Sequence, residues 1–586
     1  MADQFPLVVK SGVVQEIESA DNLNLSGNEV VGINSITFAN GATLSGSTGI
    51  GSTLSTDGDI LVNGLTVGRG AAGISSNTVL GINALASNTT GYDNVAIGLS
   101  SLFYNTTGAR NTANGIRTLF SNTTGEANIA TGTNALRLNT TGCDNTATGF
   151  SALCSNTNGN SNTATGFAAL QANTTGSNNT STGRSALGYN TVGSNNVGIG
   201  ASALFCNTTG SCNTATGVCA LRSNTTASCN TATGHRSLCS NTTGSENTAT
   251  GVSALSSNTT GTNNTANGVA TLSANTTGCN NTGIGVNALL CNTTGGNNTA
   301  TGSGSLTLNT TGSYNTATGH SALLANTTGT NNTGIGVSAL SCNTTGSCNT
   351  AVGNHALLCT STGVQNTALG NNALRCNETA GQNTAVGFSA LHCSCIGCCN
   401  TAVGFEALYS AAAGGNTALG HSAGCTTTSG NNNTFIGNGA VAGTATTSNT
   451  VNLGNSSVTQ IRAQVNSITL LSDARDKTNI TALPIGAGVS FISALRPVSF
   501  DWNMRDGGKV GIPEFGFIAQ ELQEAQTSTG ITVPNLVEAG NPDRLEASPG
   551  TLLPVLVKAI QQLNEKVQEL SDENQELKDR LDAAGL

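Results

Sequence analysis

The stretch NTATGFSALCSNTNGNS, Asn145–Ser161, is one copy of a motif that fills most of this 586-residue chain. Aligned on its first asparagine, the pattern N-x-x-x-G-x-x-x-L returns every 17 residues from Asn77 to Asn400, in twenty copies without a gap. The spacing slips to 16 at Asn416, and a last recognisable copy starts at Asn433. A short fixed period of this kind is typical of solenoids, in which each repeat stacks on its neighbours.

The residue types of the repeat favour β-structure. Glycine, asparagine and threonine dominate each unit, and all three are poor helix formers. We predict short strands at N-T-A-T and at S-A-L, with turns of positive φ at N-T-T-G and at the other glycine positions. Leucine and the alanine two residues after the first asparagine are the predicted interior. The predicted fold class is mainly β, with a parallel β-solenoid (β-roll) shaft, and its thin coils favour side-by-side association of several chains.

Composition separates this shaft from the end of the chain. Lysine occurs at Lys10 and next at Lys477, and proline occurs at Pro6 and next at Pro484. The boundary therefore falls near residue 472, and residues 472–586 have the composition of an ordinary globular domain.

Charge and hydropathy exclude several classes of protein. The net charge of −10 and the absence of a basic stripe argue against nucleic-acid binding. We expect no membrane insertion, because no run of 18 apolar residues occurs, and no secretory signal, because Met1–Pro6 lacks the required pattern. Only six acidic residues lie between Asn77 and Asn416, and none form carboxylate pairs at repeat-compatible spacing, which argues against a glycan-degrading enzyme.

All 18 cysteines fall between Cys143 and Cys425. One column, directly before the N-T-T-G position, holds six of them: Cys206, Cys291, Cys342, Cys359, Cys376 and Cys393. Because the same column holds Ser121 and Ala172 in other copies, we interpret cysteine as an interchangeable small filler, with free thiols suited to a reducing cytoplasm. A disulfide ladder or a metal cluster stays open as the alternative, at Cys393, Cys395, Cys398 and Cys399.

The five histidines are predicted to be surface substitutions: His235, His320, His355, His392 and His421. We predict no cofactor and no resident metal ion. The many N-T-T triplets match the glycosylation sequon, but we interpret them as turn residues.

Two features of the repeat region carry a resemblance. NVAIG at Asn94–Gly98 and NTAVG at Asn349–Gly353 resemble the head repeat of trimeric autotransporter adhesins, which are trimers of parallel β-rolls. The repeat, entered through NGLTVGRG at Asn63–Gly70, is also similar to phage tail fibres, especially those of cyanobacterial phages. This resemblance implies a homotrimer.

The last part of the chain carries four motifs in order: LSDARDKTNI from Leu471, FISALRPVSFDW at Phe491–Trp502, GFIAQE at Gly516–Glu521 and LLPVLVKAIQQL at Leu552–Leu563. Together they closely resemble the self-cleaving intramolecular chaperone domain of endosialidase type, which implies an α+β domain. The resemblance covers Ser472–Leu586. It implies a domain that trimerises, templates the folding of the upstream β-structure and then cleaves itself off.

The same resemblance assigns the site residues. Ser472 would be the nucleophile and Lys477 the base, with the cut between Leu471 and Ser472. A serine hydroxyl is a weak nucleophile unless a base within hydrogen-bond reach takes its proton. A lysine is such a base only when its surroundings favour the neutral amine, and trimer closure could provide them. Asp473 and Arg475 also match the motif, and we expect a structural role for them.

Two further assignments concern the end of the chain. Glu521 matches the family pattern, but its spacing assigns it no task. Over residues 552–583, apolar residues alternate at spacings of four and three, which predicts a coiled coil in which Asn574 would fix the register. The seam consists of Leu556, Ile560, Leu563, Val567, Leu570, Asn574, Leu577 and Leu581.

The predicted function is a homotrimeric phage tail fibre, a virion protein assembled in the host cytoplasm. Its partners would be itself, a virion tail or baseplate protein and a host cell-surface receptor such as a glycan. Its only catalysis would be the cut on itself. The alternative is a bacterial, ice-binding or surface-binding β-solenoid adhesin without a virion role. The predicted segments are 1–25 for virion attachment, 26–76 as a β-rich lead-in, 77–437 as the shaft, 438–471 as neck and distal tip, and 472–586 as the chaperone.

Overall fold

The computed structural model describes residues 35–37, 43–45, 53–55, 59–62, 64–458, 477–503, 510–539 and 545–585. The chain divides into two compact units, Met1–Thr330 and Asn331–Leu586. The first unit opens with antiparallel pairs, β1 with β2, β2 with β3, β4 with β5 and β5 with β6. These strands are β1 (Ser35–Thr37), β2 (Thr43–Ser45), β3 (Thr53–Ser55), β4 (Ile60–Val62), β5 (Leu65–Gly68) and β6 (Thr78–Gly81), with a short 3-10 turn at Ala71–Gly73.

From β6 onward the first unit is a parallel solenoid. Each repeat contributes one three-residue strand, and each strand pairs in parallel with the next at a 17-residue register, as in Ala147↔Ala164 and Ala232↔Ala249. The strands are β7 (Val95–Ile97), β8 (Thr112–Asn114), β9 (Ile129–Thr131), β10 (Thr146–Thr148), β11 (Thr163–Thr165), β12 (Thr180–Thr182), β13 (Val197–Ile199), β14 (Thr214–Thr216), β15 (Thr231–Thr233), β16 (Thr248–Thr250), β17 (Thr265–Asn267), β18 (Thr282–Ile284), β19 (Thr299–Thr301) and β20 (Thr316–Thr318).

The second unit begins with the same parallel arrangement. The slip seen in the sequence appears here as the pair Thr401↔Thr417, a register of 16 that leaves the stack intact. The strands are β21 (Thr333–Ile335), β22 (Thr350–Val352), β23 (Thr367–Leu369), β24 (Thr384–Val386), β25 (Thr401–Val403), β26 (Thr417–Leu419), β27 (Thr434–Ile436) and β28 (Val451–Leu453). The prediction of a mainly β, parallel solenoid is confirmed.

The prediction of a second strand at S-A-L is wrong. In a typical coil only Thr248–Thr250 is a strand, whereas Ser253 and Leu255 have φ values of 56° and 50°. These residues in the left-handed conformation turn the chain sharply, but their backbone amides still donate hydrogen bonds to neighbouring coils. The N–H of Ser253 donates to His235 O of the coil before (3.0 Å), and the N–H of Leu255 donates to Thr271 O of the coil after (3.0 Å). The turn buries the leucine completely. Burial of the leucine and intercoil hydrogen bonds thus outweigh the cost of an unfavourable φ.

The interior combines small apolar groups with asparagine ladders. The predicted leucine and alanine columns are fully buried, as at Leu255 and Ala249, which confirms that prediction. Two asparagine columns are buried as well. In one, the backbone N–H of Asn264 donates to Asn247 Oδ1 (3.0 Å) and its Nδ2 to Gly278 O (2.8 Å). In the other, Asn275 Nδ2 donates to the Asn258 Oδ1 of the coil before (2.8 Å). Buried amides satisfied in this way stabilise the stack.

The two glycine columns favour glycine for different reasons. Gly251, in the N-x-x-x-G column, has φ +133°, and a Cβ there would lie 2.4 Å from Gly268 O of the next coil. Gly261, in the N-T-T-G column, lies outside the left-handed region, contrary to the prediction of positive φ at this position. A Cβ on Gly261 would lie 2.4 Å from Gly278 O and 2.5 Å from Asn258 Oδ1. Close approach of the next coil, rather than dihedral angle, therefore favours glycine in N-T-T-G, although Ala227 and Ala380 occupy this column in two coils.

The end of the second unit is an α+β arrangement. Antiparallel β29 and β30 form one sheet, β31 and β32 form another, and three helices pack around Phe491, Leu522, Leu536 and Val555. The elements are α1 (Val489–Ala494), β29 (Val498–Asn503), β30 (Val510–Gly516), α2 (Ala519–Thr529), β31 (Val537–Glu538), β32 (Glu546–Ala547) and α3 (Leu553–Ala584), with 3-10 turns at Ile485–Ala487 and Pro549–Leu552. Over the ranges that the structure describes, no helix has the length and apolar character for a membrane crossing.

Candidate functional site

The predicted self-cleavage site lies at the edge of the described part of the chain. Leu471, Ser472, Asp473 and Arg475 fall outside the described residues. Lys477 is the first residue of the next described stretch, and its side chain is exposed. The pairing of serine with lysine therefore stays a prediction.

A compact apolar core lies in the domain that follows Lys477 in the chain. Phe491 of α1 is fully buried, and it clusters with Leu522 of α2 and with Leu552 and Val555 at the start of α3. Three of the four sequence motifs thus meet in one core. FISALRP supplies most of α1, GFIAQE leads into α2, and LLPVLV begins α3.

Glu521, which sequence reasoning left without a task, joins two of these motifs. Arg496, at the end of FISALR, donates from Nε to Glu521 Oε2 (3.0 Å), and its Nη2 bonds to Glu521 Oε1. Arg496 thereby lowers the pKa of the Glu521 carboxyl through this hydrogen bond. A bidentate guanidinium–carboxylate pair fixes relative orientation more strictly than a single contact does. Arg496 was missed from the sequence because its partner lies 25 residues away.

A second polar contact ties α3 to α1. Gln562 Oε1 accepts from the backbone N–H of Val489 (2.8 Å) at the first turn of α1, and Gln562 Nε2 donates to Ile485 O (2.9 Å). A Cβ on Gly488 would lie 2.1 Å from Gln562 Oε1, so glycine makes room for this amide. The start of the long helix is thus anchored in the domain core.

Beyond that anchor, α3 presents an apolar seam to solvent. The predicted seam residues lie on one helix, and Ile560 and Val567 are 65% and 64% exposed. The described part of the chain places nothing over this seam. Such a seam is typical of a helix that packs against copies of itself.

The cysteines of the shaft are all free thiols. Among the described residues, the alternative cluster of Cys393, Cys395, Cys398 and Cys399 does not bring its ligand atoms within 4.8 Å of one another. Instead, the ligand atoms of Cys376, His392 and Cys393 lie within 4.8 Å of one another. His392 departs from the prediction of a surface substitution, because it is half-buried and stacks on Tyr409 with ring centroids 5.0 Å apart.

Comparison with known proteins adds one finding. Residues 472–537 match the family model described as chaperone of endosialidase. No curated protein and no solved structure gave a match to the chain. The match confirms the resemblance drawn from the four motifs over the range that it covers. Together with the parallel solenoid, it fits a tail-fibre-like protein with a C-terminal chaperone domain.

Proposed function

We propose that this chain is a homotrimeric phage tail-fibre protein that attaches the virion to a host cell surface. The observation that carries the proposal is the order of parts along the chain: a parallel β-solenoid followed by a chaperone-of-endosialidase domain. Endosialidase chaperone domains are trimeric, which supports self-association. In this proposal residues 1–25 bind a tail or baseplate protein, 77–437 form the shaft, and 438–471 become the distal tip that contacts a surface receptor such as a glycan.

Maturation in this proposal is a single cut. The Ser472 hydroxyl gives its proton to the neutral amine of Lys477, and Oγ attacks the carbonyl carbon of Leu471. The C–N bond to Ser472 breaks, the amine of Ser472 takes the proton back from Lys477, and water hydrolyses the resulting ester. Lys477 is exposed in the single chain. Burial on trimer closure would favour its neutral form, so that cleavage follows assembly.

The surface of the solenoid supports self-association independently. The residue after the N-x-x-x-G glycine forms a column, here called the post-glycine column, that is apolar and exposed in most coils. In the second unit Phe388 and Phe405 stack in it with centroids 5.3 Å apart. Exposed apolar patches on a monomer are typical of interaction sites, and this column consists of several such patches separated by polar residues such as Arg184, His235 and Asn354. Its exposed apolar members are Ile82, Leu99, Ile116, Phe150, Phe167, Val218, Val252, Val269, Val286, Val337, Phe388 and Phe405.

Charges placed in the post-glycine column should prevent trimer formation. We expect Phe388→Asp combined with Phe405→Asp to shift the chain from trimer to smaller species or aggregates, because burying two unpaired carboxylates per subunit is costly. The measurement is sedimentation velocity of the purified full chain. Ile396→Asp is the matched control, since Ile396 is 71% exposed and lies outside the column. A double variant that remains as trimeric as this control would refute the column as the subunit interface.

One observation favours the alternative of an ice-binding or surface-binding solenoid. The strands present exposed threonines in register, as in Thr231↔Thr248 and Thr233↔Thr250. In other coils the column that contains Thr233 and Thr250 holds exposed apolar residues instead, for example Ile284 and Ile335. Such residues suit a protein interface better than an ordered layer of water. Thermal hysteresis of the mature chain would favour the alternative, whereas labelling of virion tails by antibodies against residues 77–437 would favour the fibre.

A further inference from the structure

Three side chains that can bind a metal ion lie close together on two successive coils of the second unit. Cys376 and Cys393 occupy the same column one repeat apart, and the backbone N–H of Cys376 donates to His392 O (3.0 Å), so the two coils are direct neighbours. His392 Nδ1 lies 3.2 Å from Cys393 Sγ. All three ligand atoms lie within 4.8 Å of one another, and all three residues are half-buried.

The chemistry of the three groups is that of a thiophilic cation. Thiolate and neutral imidazole are the ligands that Zn²⁺ and Cu⁺ prefer, and Zn²⁺ is held by such groups at about 2.0–2.3 Å in a tetrahedron. Both thiols lose their protons when they bind the metal, and His392 binds it through a neutral imidazole.

We propose that Cys376, His392 and Cys393 form a binding site for Zn²⁺, a thiophilic d¹⁰ cation. The bound ion links two successive coils of the solenoid. The Sγ atoms of Cys376 and Cys393 and Nδ1 of His392 supply three ligands. Two thiol protons leave to solvent on binding, and the fourth position is open to water.

The coil pair that the site spans lacks a contact that other coils have. In the buried asparagine ladder each amide donates to the one before it, but the coil after Asn377 has Ser394 in that position. Within the described part of the chain, the buried Asn377 Oδ1 and Ser394 Oγ atoms have no hydrogen-bond partner. Unsatisfied buried polar atoms weaken the contact between two coils. A metal ion bound to Cys376 and Cys393 would compensate for this weakened contact by linking the same two coils.

Cobalt substitution tests the site with Co²⁺ alone as the probe. We expect the reduced, metal-free full chain to bind one Co²⁺ with a thiolate-to-cobalt charge-transfer band, and Zn²⁺ to displace it. Cys376→Ser with Cys393→Ser should abolish the band, and His392→Gln should weaken binding at least tenfold. Zn²⁺ should also raise the thermal midpoint of the unsubstituted chain but not of the double variant.

Cys206→Ser and Cys291→Ser are the matched controls. Both cysteines lie in the same column, but neither has a cysteine in the column one repeat before or after it. Serine is compatible with the fold here, because Ser121 occupies this column. Equal bands in the double variant and the controls would overturn the proposal, as would the absence of any band. A Cys376–Cys393 disulfide in the freshly purified chain would also overturn it, and displacement by Cu⁺ but not by Zn²⁺ would overturn the assignment to zinc.

Discussion

Ser472→Ala should leave the chain at its full length, 58.2 kDa, while the unsubstituted chain is cut to a shorter shaft and a released C-terminal domain. The expected effect is complete, because a methyl group cannot attack the carbonyl of Leu471 and no other nucleophile is assigned to the reaction. Denaturing electrophoresis with intact-mass measurement of both fragments checks the result and locates the cut. The new amino terminus should be Ser472.

Two further variants separate chemistry from folding. Lys477→Arg keeps the positive charge but removes the base, because arginine stays protonated, so we expect it to abolish the cut as Ser472→Ala does. Ser467→Ala, in the same upstream segment, is the matched control and should be processed normally. Cleavage that persists in Ser472→Ala, or that is lost equally in Ser467→Ala, would rule out the Ser472–Lys477 assignment.

Gly251→Ala should destabilise the shaft strongly. The residue has φ +133°, and the added Cβ would lie 2.4 Å from Gly268 O in the next coil. We expect a loss of about 3 kcal/mol in the free energy of unfolding per chain, the upper end of the cost of a side chain in a region that only glycine occupies. The clash with backbone adds to this, because the next coil has no side chain there that can rotate away. Chemical denaturation followed by circular dichroism measures the loss.

Gly443→Ala provides the comparison. A Cβ at Gly443 meets no atom within 4 Å, and its φ lies outside the left-handed region, so the same substitution should change stability little. Equal stability of the two variants would contradict the account of the solenoid, in which direct backbone contact between coils selects glycine.

The sequence predicts the period, the parallel stacking and the buried leucine and alanine columns because each depends on contacts between identical positions. It fails at S-A-L. Ser253 and Leu255 adopt positive φ, a conformation that local propensity disfavours and that only intercoil hydrogen bonds and burial of Leu255 explain. The buried asparagine ladders were missed for a related reason: an N-T-T triplet alone looks like an exposed turn, and only stacking turns the amide of Asn258 inward.

The candidate sites also combine features that the sequence predicts with features that depend on packing. The four C-terminal motifs are local strings, and the family match over 472–537 confirms the domain they indicate. The partner of Glu521 depends on the packing of α2 near the end of α1, which no spacing reveals, so Arg496 was not predicted. The grouping of Cys376 with His392 and Cys393 could have been found from the period, since positions 376 and 393 differ by one repeat. The sequence analysis placed Cys376 and Cys393 in one column but interpreted that column as small filler, and its alternative of a metal cluster grouped cysteines that are close in sequence.

The most direct test of the proposed fibre is the native mass of the purified, unsubstituted protein together with its subunit mass. The account predicts a particle of three identical subunits, each ending at Leu471, and a separate trimer of residues 472–586. A particle built of uncut 586-residue chains, or a monomer in either fraction, would contradict the claim that a trimeric chaperone assembles the shaft and then leaves it.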